Sequence, residues 1–228
     1  MPCGALCVFP LDLAPAEVAR LHSLLSNEEQ ARAARFLAPL HRDRFAVAHG
    51  RLREILGARL GVSPASLVFD VAEHGKPHLA GAQAESGVQF NLSHSGDRGL
   101  VGWANDRQLG VDIEVWRPLG DEAALVRRFF SPVENAAYEA LPAAERTQGF
   151  FECWTRKEAY IKAVGRGLGL PLDSFDVSFG AGSEPALLRS SAEIRIDSPW
   201  SLAAPDLGSG VSMAVILEGD GCHVISGD

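Results

Sequence analysis

Residues 64–69 read Pro-Ala-Ser-Leu-Val-Phe and residues 171–176 read Pro-Leu-Asp-Ser-Phe-Asp, and each run follows a long helical stretch. Before the first, Phe45, Ala48, Leu52, Ile55, Leu56 and Leu60 recur at helical spacing over 44–60, and Gly61 stops the helix. Before the second, 150–164 is helical and leads through a glycine-rich loop to Pro171. A helix, a proline and a short strand recur by chance, so the echo is weak by itself. It is consistent with two similar α+β halves of roughly a hundred residues each, near the small end for a stable domain. The boundary falls near 105–109, dividing the chain into 1–107 and 108–228.

Around these runs the pattern predicts a strand at 6–9, a helix at 17–25, and a helix capped by Ser26 that runs through Phe36. Strands follow at 67–71, 88–92, 99–104 and 110–115. In the second half, strands are predicted at 174–179 and 211–217, while 180–185 and 205–210 read as surface loops.

The 228 residues carry 21 Lys+Arg and 29 Asp+Glu, a formal charge of −8, which argues against a general nucleic-acid binder. No run approaches the roughly 18 apolar residues of a membrane span. The first ten residues lack a basic leader and are broken by Pro10. Cys3, Cys7, Cys153 and Cys222 show no metal-ligand spacing, and Cys153 beside Trp154 reads as a packed hydrophobe. The expectation is a reduced, soluble, cytoplasmic protein.

Three segments carry candidate chemistry. In Gly110-Val111-Asp112-Ile113-Glu114-Val115, strand alternation places Asp112 and Glu114 on one face and the three apolar residues on the other. Paired carboxylates are hard ligands suited to Mg²⁺, while the bland alternative is an edge strand with a solvated acidic face. In Trp154-Thr155-Arg156-Lys157-Glu158-Ala159-Tyr160-Ile161-Lys162, positions 154, 158 and 162 stack along one helix face. Glu158 and Lys162 are either an ordinary surface pair or the wall of a pocket, where the acid completes a metal site and the ammonium meets a phosphate. In Phe90-Asn91-Leu92-Ser93-His94-Ser95-Gly96, a strand feeds a small-residue turn whose amides suit an anion, with His94 either a donor or an idle turn residue.

Together with Glu73-His74-Gly75-Lys76-Pro77, these motifs resemble in order and spacing those of 4′-phosphopantetheinyl transferases, best the long, monomeric surfactin-synthetase-activating type. The run from Lys157 through Gly165-Arg166-Gly167-Leu168 to Pro171-Leu172 follows that type's signature, and the likeness extends from about Ser26 to Val177. The resemblance implies transfer of the phosphopantetheine arm of coenzyme A to a serine of an apo carrier protein, with release of adenosine 3′,5′-bisphosphate. It implies a pseudo-dimer of two α+β halves with the site between them. Asp112, Glu114 and Glu158 fall on the family's Mg²⁺ positions and Lys162 on its phosphate-contacting lysine. Lys76, Pro77, Ser93 and His94 fall on coenzyme A contacts, and Arg32 and Arg44 on a basic region near the 3′-phosphate. Glu29 stands where a lysine is expected.

A serine hydroxyl is a weak nucleophile that must lose its proton during attack. Glu158 is the candidate base, with a metal-held water as its rival. Competing readings are a non-catalytic coenzyme A-binding homologue, opposed by the intact acids, and a metal-dependent phosphatase, opposed by the lack of a second metal motif. For carrier docking, Arg127-Arg128-Phe129-Phe130 offers two cations and two rings, the alternative being that both rings are buried and the arginines solvate a helix end.

Overall fold

The computed structural model describes residues 4–190 and 199–219, so Cys3 and Cys222 lie outside it. The first half runs β1 (Gly4–Pro10), α1 (Pro15–His22), α2 (Asn27–Ala33), α3 (Pro39–Leu60), β2 (Val68–Val71), β3 (Pro77–Ala80), β4 (Val88–Ser95) and β5 (Arg98–Asn105). The second runs β6 (Leu109–Val115), α4 (Glu122–Phe129), α5 (Pro132–Ala140), α6 (Arg146–Val164), β7 (Asp176–Val177), β8 (Leu187–Arg189), β9 (Trp200–Ala203) and β10 (Val211–Glu218).

The halves share one plan. Each has a three-stranded antiparallel sheet in which the first strand lies beside the last, and the last beside the one before it: β1-β5-β4 and β6-β10-β9. Each long helix ends on a left-handed glycine, Gly61 at φ 68° and Gly165 at φ 74°, where a side chain would be strained. A short antiparallel hairpin follows each, β2-β3 and β7-β8.

The repeat extends to buried charge. Ser26 and Glu29 form a capping box on α2, and Ser131 and Glu134 form another on α5. Each glutamate also meets a buried cation of the long helix: Arg53 Nε donates to Glu29 at 2.7 Å, and Lys157 Nζ lies 2.7 Å from Glu134. Arg53 further donates to the carbonyls of Pro64 and Leu67, and Lys157 to those of Leu172 and Phe175, the ends of equivalent 3₁₀ turns. These bonds correct two predicted strands. The carbonyls of Leu67 and Phe175 are committed to the buried cations, so pairing begins at Val68 and Asp176. The strand predicted at 174–179 is only Asp176–Val177. The helix predicted over 17–25 occupies Pro15–His22, and the one beginning after Ser26 ends at Ala33, not Phe36.

Each half has its own core, and a third apolar cluster joins them. Leu6, Leu100 and Ala104 from the first sheet meet Val111, Ile113, Met213 and Val215 from the second. Val111 and Ile113 therefore face the junction, as strand alternation predicted, while Gly110 and Asp112 face α6. A Cβ at Gly110 would stand 2.0 Å from the Ala159 carbonyl oxygen, so only glycine lets α6 lie this close to β6. No helix among the described residues is long and apolar enough to cross a membrane.

Candidate active site

Strands β4 and β6 run side by side at the junction, joined by side chains. Asn91, Ser93 and Ser95 alternate along β4, which directs all three toward β6. Asn91 Oδ1 accepts from the Val111 amide at 2.9 Å, and Ser95 Oγ accepts from the Val115 amide at 3.2 Å. Ser93 Oγ donates to Asp112 Oδ1 at 2.8 Å, and Ser95 Oγ to Glu114 Oε2 at 2.6 Å. One half thus fixes the register of the other half's carboxylates. The predicted turn at 93–96 is corrected here: Ser93, His94 and Ser95 belong to β4, and the chain reverses only at Gly96, φ 56°. Pairing of Ser95 with Arg98 of β5 carries the strand past the small residues.

Helix α6 lies across these carboxylates. Lys162 Nζ donates to Asp112 Oδ1 at 2.6 Å and to Ser93 Oγ at 2.9 Å. Asp112 is 4% exposed, so the solvated acidic face is excluded. Its second oxygen, Oδ2, is buried without a hydrogen-bond partner, and burial pushes the carboxyl up against the pull of Lys162 and Ser93. Glu158, one turn before Lys162, is pushed up to about 7 by burial and by the charges of Asp112 and Glu114, which outweigh Lys162. Glu114 pairs with Arg117 at 2.8 Å.

Sequence reasoning missed Arg117, Asn91 and Ser95. The period-two placement of Asn91, Ser93 and Ser95 was the available signal. Trp154, at the start of the helix face that carries Glu158 and Lys162, is partly buried, packing on Phe129 and Phe150 against the second core.

His94, Ser95, Gly96, Glu114 and Arg117 line a cavity of about 400 Å³ with Arg44, Phe45, Phe36 and His41. Arg44 is held there by two bonds to Asp12, at 2.6 and 2.7 Å. Arg32 instead lies over the Phe45 ring and lines a separate cavity beside Glu29. Glu29 is engaged structurally. Burial opposes its charge, but bonds from His49, the Ser26 amide and Arg53 prevail and hold it at about 2.

Lys76 and Pro77 lie at the β2-β3 hairpin, where Lys76 reaches across the junction. Its Nζ donates to the Ala163 and Leu109 carbonyls at 2.9 and 3.2 Å and to Gln108 Oε1 at 3.1 Å. Burial lowers its pKa to about 8. The structure thus brings Asp112, Glu158, Lys162 and Ser93 together, with Glu114 and His94 adjoining, and sets Arg32 and Lys76 apart from them.

Among the described residues no three acidic, histidine or cysteine side chains are already gathered as a metal cage. Lys162 and Arg117 hold the strand carboxylates instead. The donor set nevertheless suits a hard divalent cation, being carboxylate oxygen throughout with one buried oxygen left over on Asp112. Cys153 is fully buried and its thiol is pushed up by burial, which fits a packed residue and not a nucleophile. At 127–130 the structure favours the buried alternative: Phe130 is 2% exposed within the second core, Phe129 is half-buried against Trp154, and the two arginines are exposed.

Residues 108–211 match the profile of the 4′-phosphopantetheinyl transferase superfamily, and 14–104 match that of the 4′-phosphopantetheinyl transferase N-terminal region. The chain is 42% identical over 193 residues to 4′-phosphopantetheinyl transferase HetI of Nostoc sp., covering 85% of this chain and 78% of that protein. It is 29% identical over 203 residues to 4′-phosphopantetheinyl transferase Sfp of Bacillus subtilis, covering 89% and 86%. A holo-(acyl-carrier-protein) synthase of Bacillus anthracis, solved in complex with CoA, overlaps 50% of this chain and 96% of its own at 21% identity, with a TM-score of 0.41. Two adjoining profile matches and a relative of this identity and coverage make the assignment: the chain belongs to the 4′-phosphopantetheinyl transferase family.

Proposed function

We propose that the junction between the halves, 1–107 and 108–228, is the site at which this chain transfers the phosphopantetheine arm of coenzyme A to a serine of an apo carrier protein, releasing adenosine 3′,5′-bisphosphate. The observation that carries the reading is the convergence on Asp112 of Lys162 from α6 and Ser93 from β4, with Glu158 beside them. Family membership supplies the reaction, and this cluster supplies groups suited to it.

Glu158 is the base that takes the proton from the carrier's serine Oγ. A carboxyl raised to about 7 is matched to proton transfer near neutral pH far better than an ordinary glutamate. Lys162 leaves Asp112 free to turn toward a cation by placing its own ammonium on a substrate phosphate. His94 and Arg44 present donors to the anionic ligand in the adjoining cavity, with Ser95 on the same wall, and Ser93 supports the coenzyme from beside Asp112 and Lys162. Lys76, Pro77 and Arg32 support the coenzyme from the rim, Lys76 by bracing the end of α6.

Asp112 and Glu114 would hold Mg²⁺, with Glu158 the third carboxylate in reach when it is not accepting the serine proton, and the cation's charge would offset that developing on the pyrophosphate. The internal pseudo-dimer supports a monomeric enzyme, since both halves of the site come from one chain.

Incubation with coenzyme A, Mg²⁺ and a panel of apo carriers, read by intact mass, tests the function. The expected result is a carrier heavier by one phosphopantetheine. Coenzyme A binding with no modification of any carrier would instead favour the non-catalytic homologue.

A further inference from the structure

Leu37 is fully exposed, with Phe36 and Leu40 beside it at 40% and 50% exposure. Eight large hydrophobic side chains are exposed among the described residues, and three of them fall within these five positions. Solvating so much apolar surface in one place is unfavourable and marks a contact site. The segment is also locally basic in an acidic chain: beside Arg32 and Arg44, which belong to the coenzyme reading, it carries Arg35 and Arg42, the latter next to Asp43 at 3.3 Å, against −8 overall. Its place matters most. Phe36 and His41 line the same cavity as His94, Glu114 and Arg117, so Leu37 and Leu40 stand on the rim leading to the carboxylates. Phe36 is anchored from below by the Phe45 ring at 5.5 Å, which holds the rim in a defined shape.

We propose that Leu37 and Leu40, flanked by Arg35 and Arg42, are the surface on which the protein substrate docks, and that this substrate presents an acidic face with apolar side chains at its centre. The inference rests on the transfer reading above, because a serine on a folded protein reaches the site only if that protein covers part of the rim. The first-half rim supplies what the segment at 127–130 lacks, since Phe130 is buried in the core. Apolar side chains supply the contact, and the arginines set orientation and speed encounter.

The test uses the full chain carrying Leu37→Glu and Leu40→Glu together. Both side chains are exposed, so the fold tolerates the change. Transfer to an apo carrier is measured against carrier concentration at low and high salt, coenzyme A affinity by calorimetry, and association state by sedimentation velocity. The expected result is a loss of about tenfold or more in kcat/KM for the carrier, arising in KM, with kcat and coenzyme A affinity unchanged. Arg35→Glu with Arg42→Glu should lower kcat/KM in a manner that salt diminishes. Active variants with unaltered carrier KM overturn the docking surface while leaving the transferase reading intact. Weakened coenzyme A binding assigns the rim to the coenzyme, and a wild-type dimer that the leucine changes dissociate assigns it to a second copy; either overturns the proposal. A wild type that binds coenzyme A but modifies no carrier overturns the transferase reading itself, and this surface with it.

Discussion

The neighbours of Glu29 account for an acid where a lysine is expected. It caps α2 through the Ser26 amide, pairs with Arg53 at 2.7 Å and faces His49 at 3.4 Å. A lysine there would face the buried Arg53 guanidinium, whereas the glutamate neutralises it. Glu29→Gln should therefore cost about 2–3 kcal/mol at pH 7, because it strands a buried cation. A carboxyl held at about 2 contributes all its stability above its ordinary value of 4.5 and loses it as the pH falls toward 2. Urea midpoints of wild type and variant should accordingly converge on acidification, and a gap that persists at pH 2 would contradict the assignment. Glu158 has the opposite sign. Its carboxyl is raised from 4.5 to about 7, so the metal-free protein loses stability as the pH rises through that window, and Glu158→Gln should flatten the loss. The same variant should keep coenzyme A affinity and lose most transfer, since an amide cannot accept the proton. Parallel loss of binding and rate would place the base elsewhere.

Among the elements, β6 and α6 build the site by lying closer than any side chain but hydrogen allows. Gly110→Ala would drive a methyl group against the Ala159 carbonyl and the Ala163 amide, so α6 must lift from β6. Lys162 and Glu158 would move with it. The expected outcome is a destabilisation of about 1–3 kcal/mol with a disproportionate fall in turnover, checked by denaturation and steady-state rates on one preparation. Full activity would show that the close approach does not set the catalytic geometry. Both long helices were legible because apolar spacing and a terminal glycine are local signals, and β6 was legible through alternation. The end of β4 was not. Ser93-His94-Ser95 has the composition of a turn, and what makes it strand is pairing with β5 and side-chain bonds to β6, neither of which lies nearby in sequence. The buried Lys157 was invisible for a similar reason. Within its motif it reads as a surface cation, and only the fold supplies Glu134 and the carbonyls of Leu172 and Phe175.

At the scale of the molecule, the two halves carry separate cores but are fastened in ways that oppose independent unfolding. Leu6 and Leu100 share a cluster with Val111 and Met213, and side chains of β4 satisfy amides of β6. Lys76 adds a fastening that does not involve the carboxylates. From the β2-β3 hairpin it donates to Leu109 at the start of β6 and to Ala163 in the last turn of α6, joining the first half to both elements that carry the acids. Its stem also packs against the left-handed cap of α6, where a Cβ on Gly165 would come 3.3 Å from Lys76 Cδ. Lys76→Met keeps the apolar stem and removes the donor, leaving those carbonyls unsatisfied at a cost of about 1–3 kcal/mol. The chain has four tryptophans, and Trp103 reports on the first half and Trp154 on the second, so variants retaining only one of these two and neither Trp116 nor Trp200 separate the signals. With Lys76 in place both reporters should follow a single urea transition. In Lys76→Met both midpoints should fall together, because the loss is borne by the junction and neither core is touched. A shift confined to one reporter, or two transitions already present in the wild type, would mean that the halves fold separately and that the acids are aligned only when the halves dock.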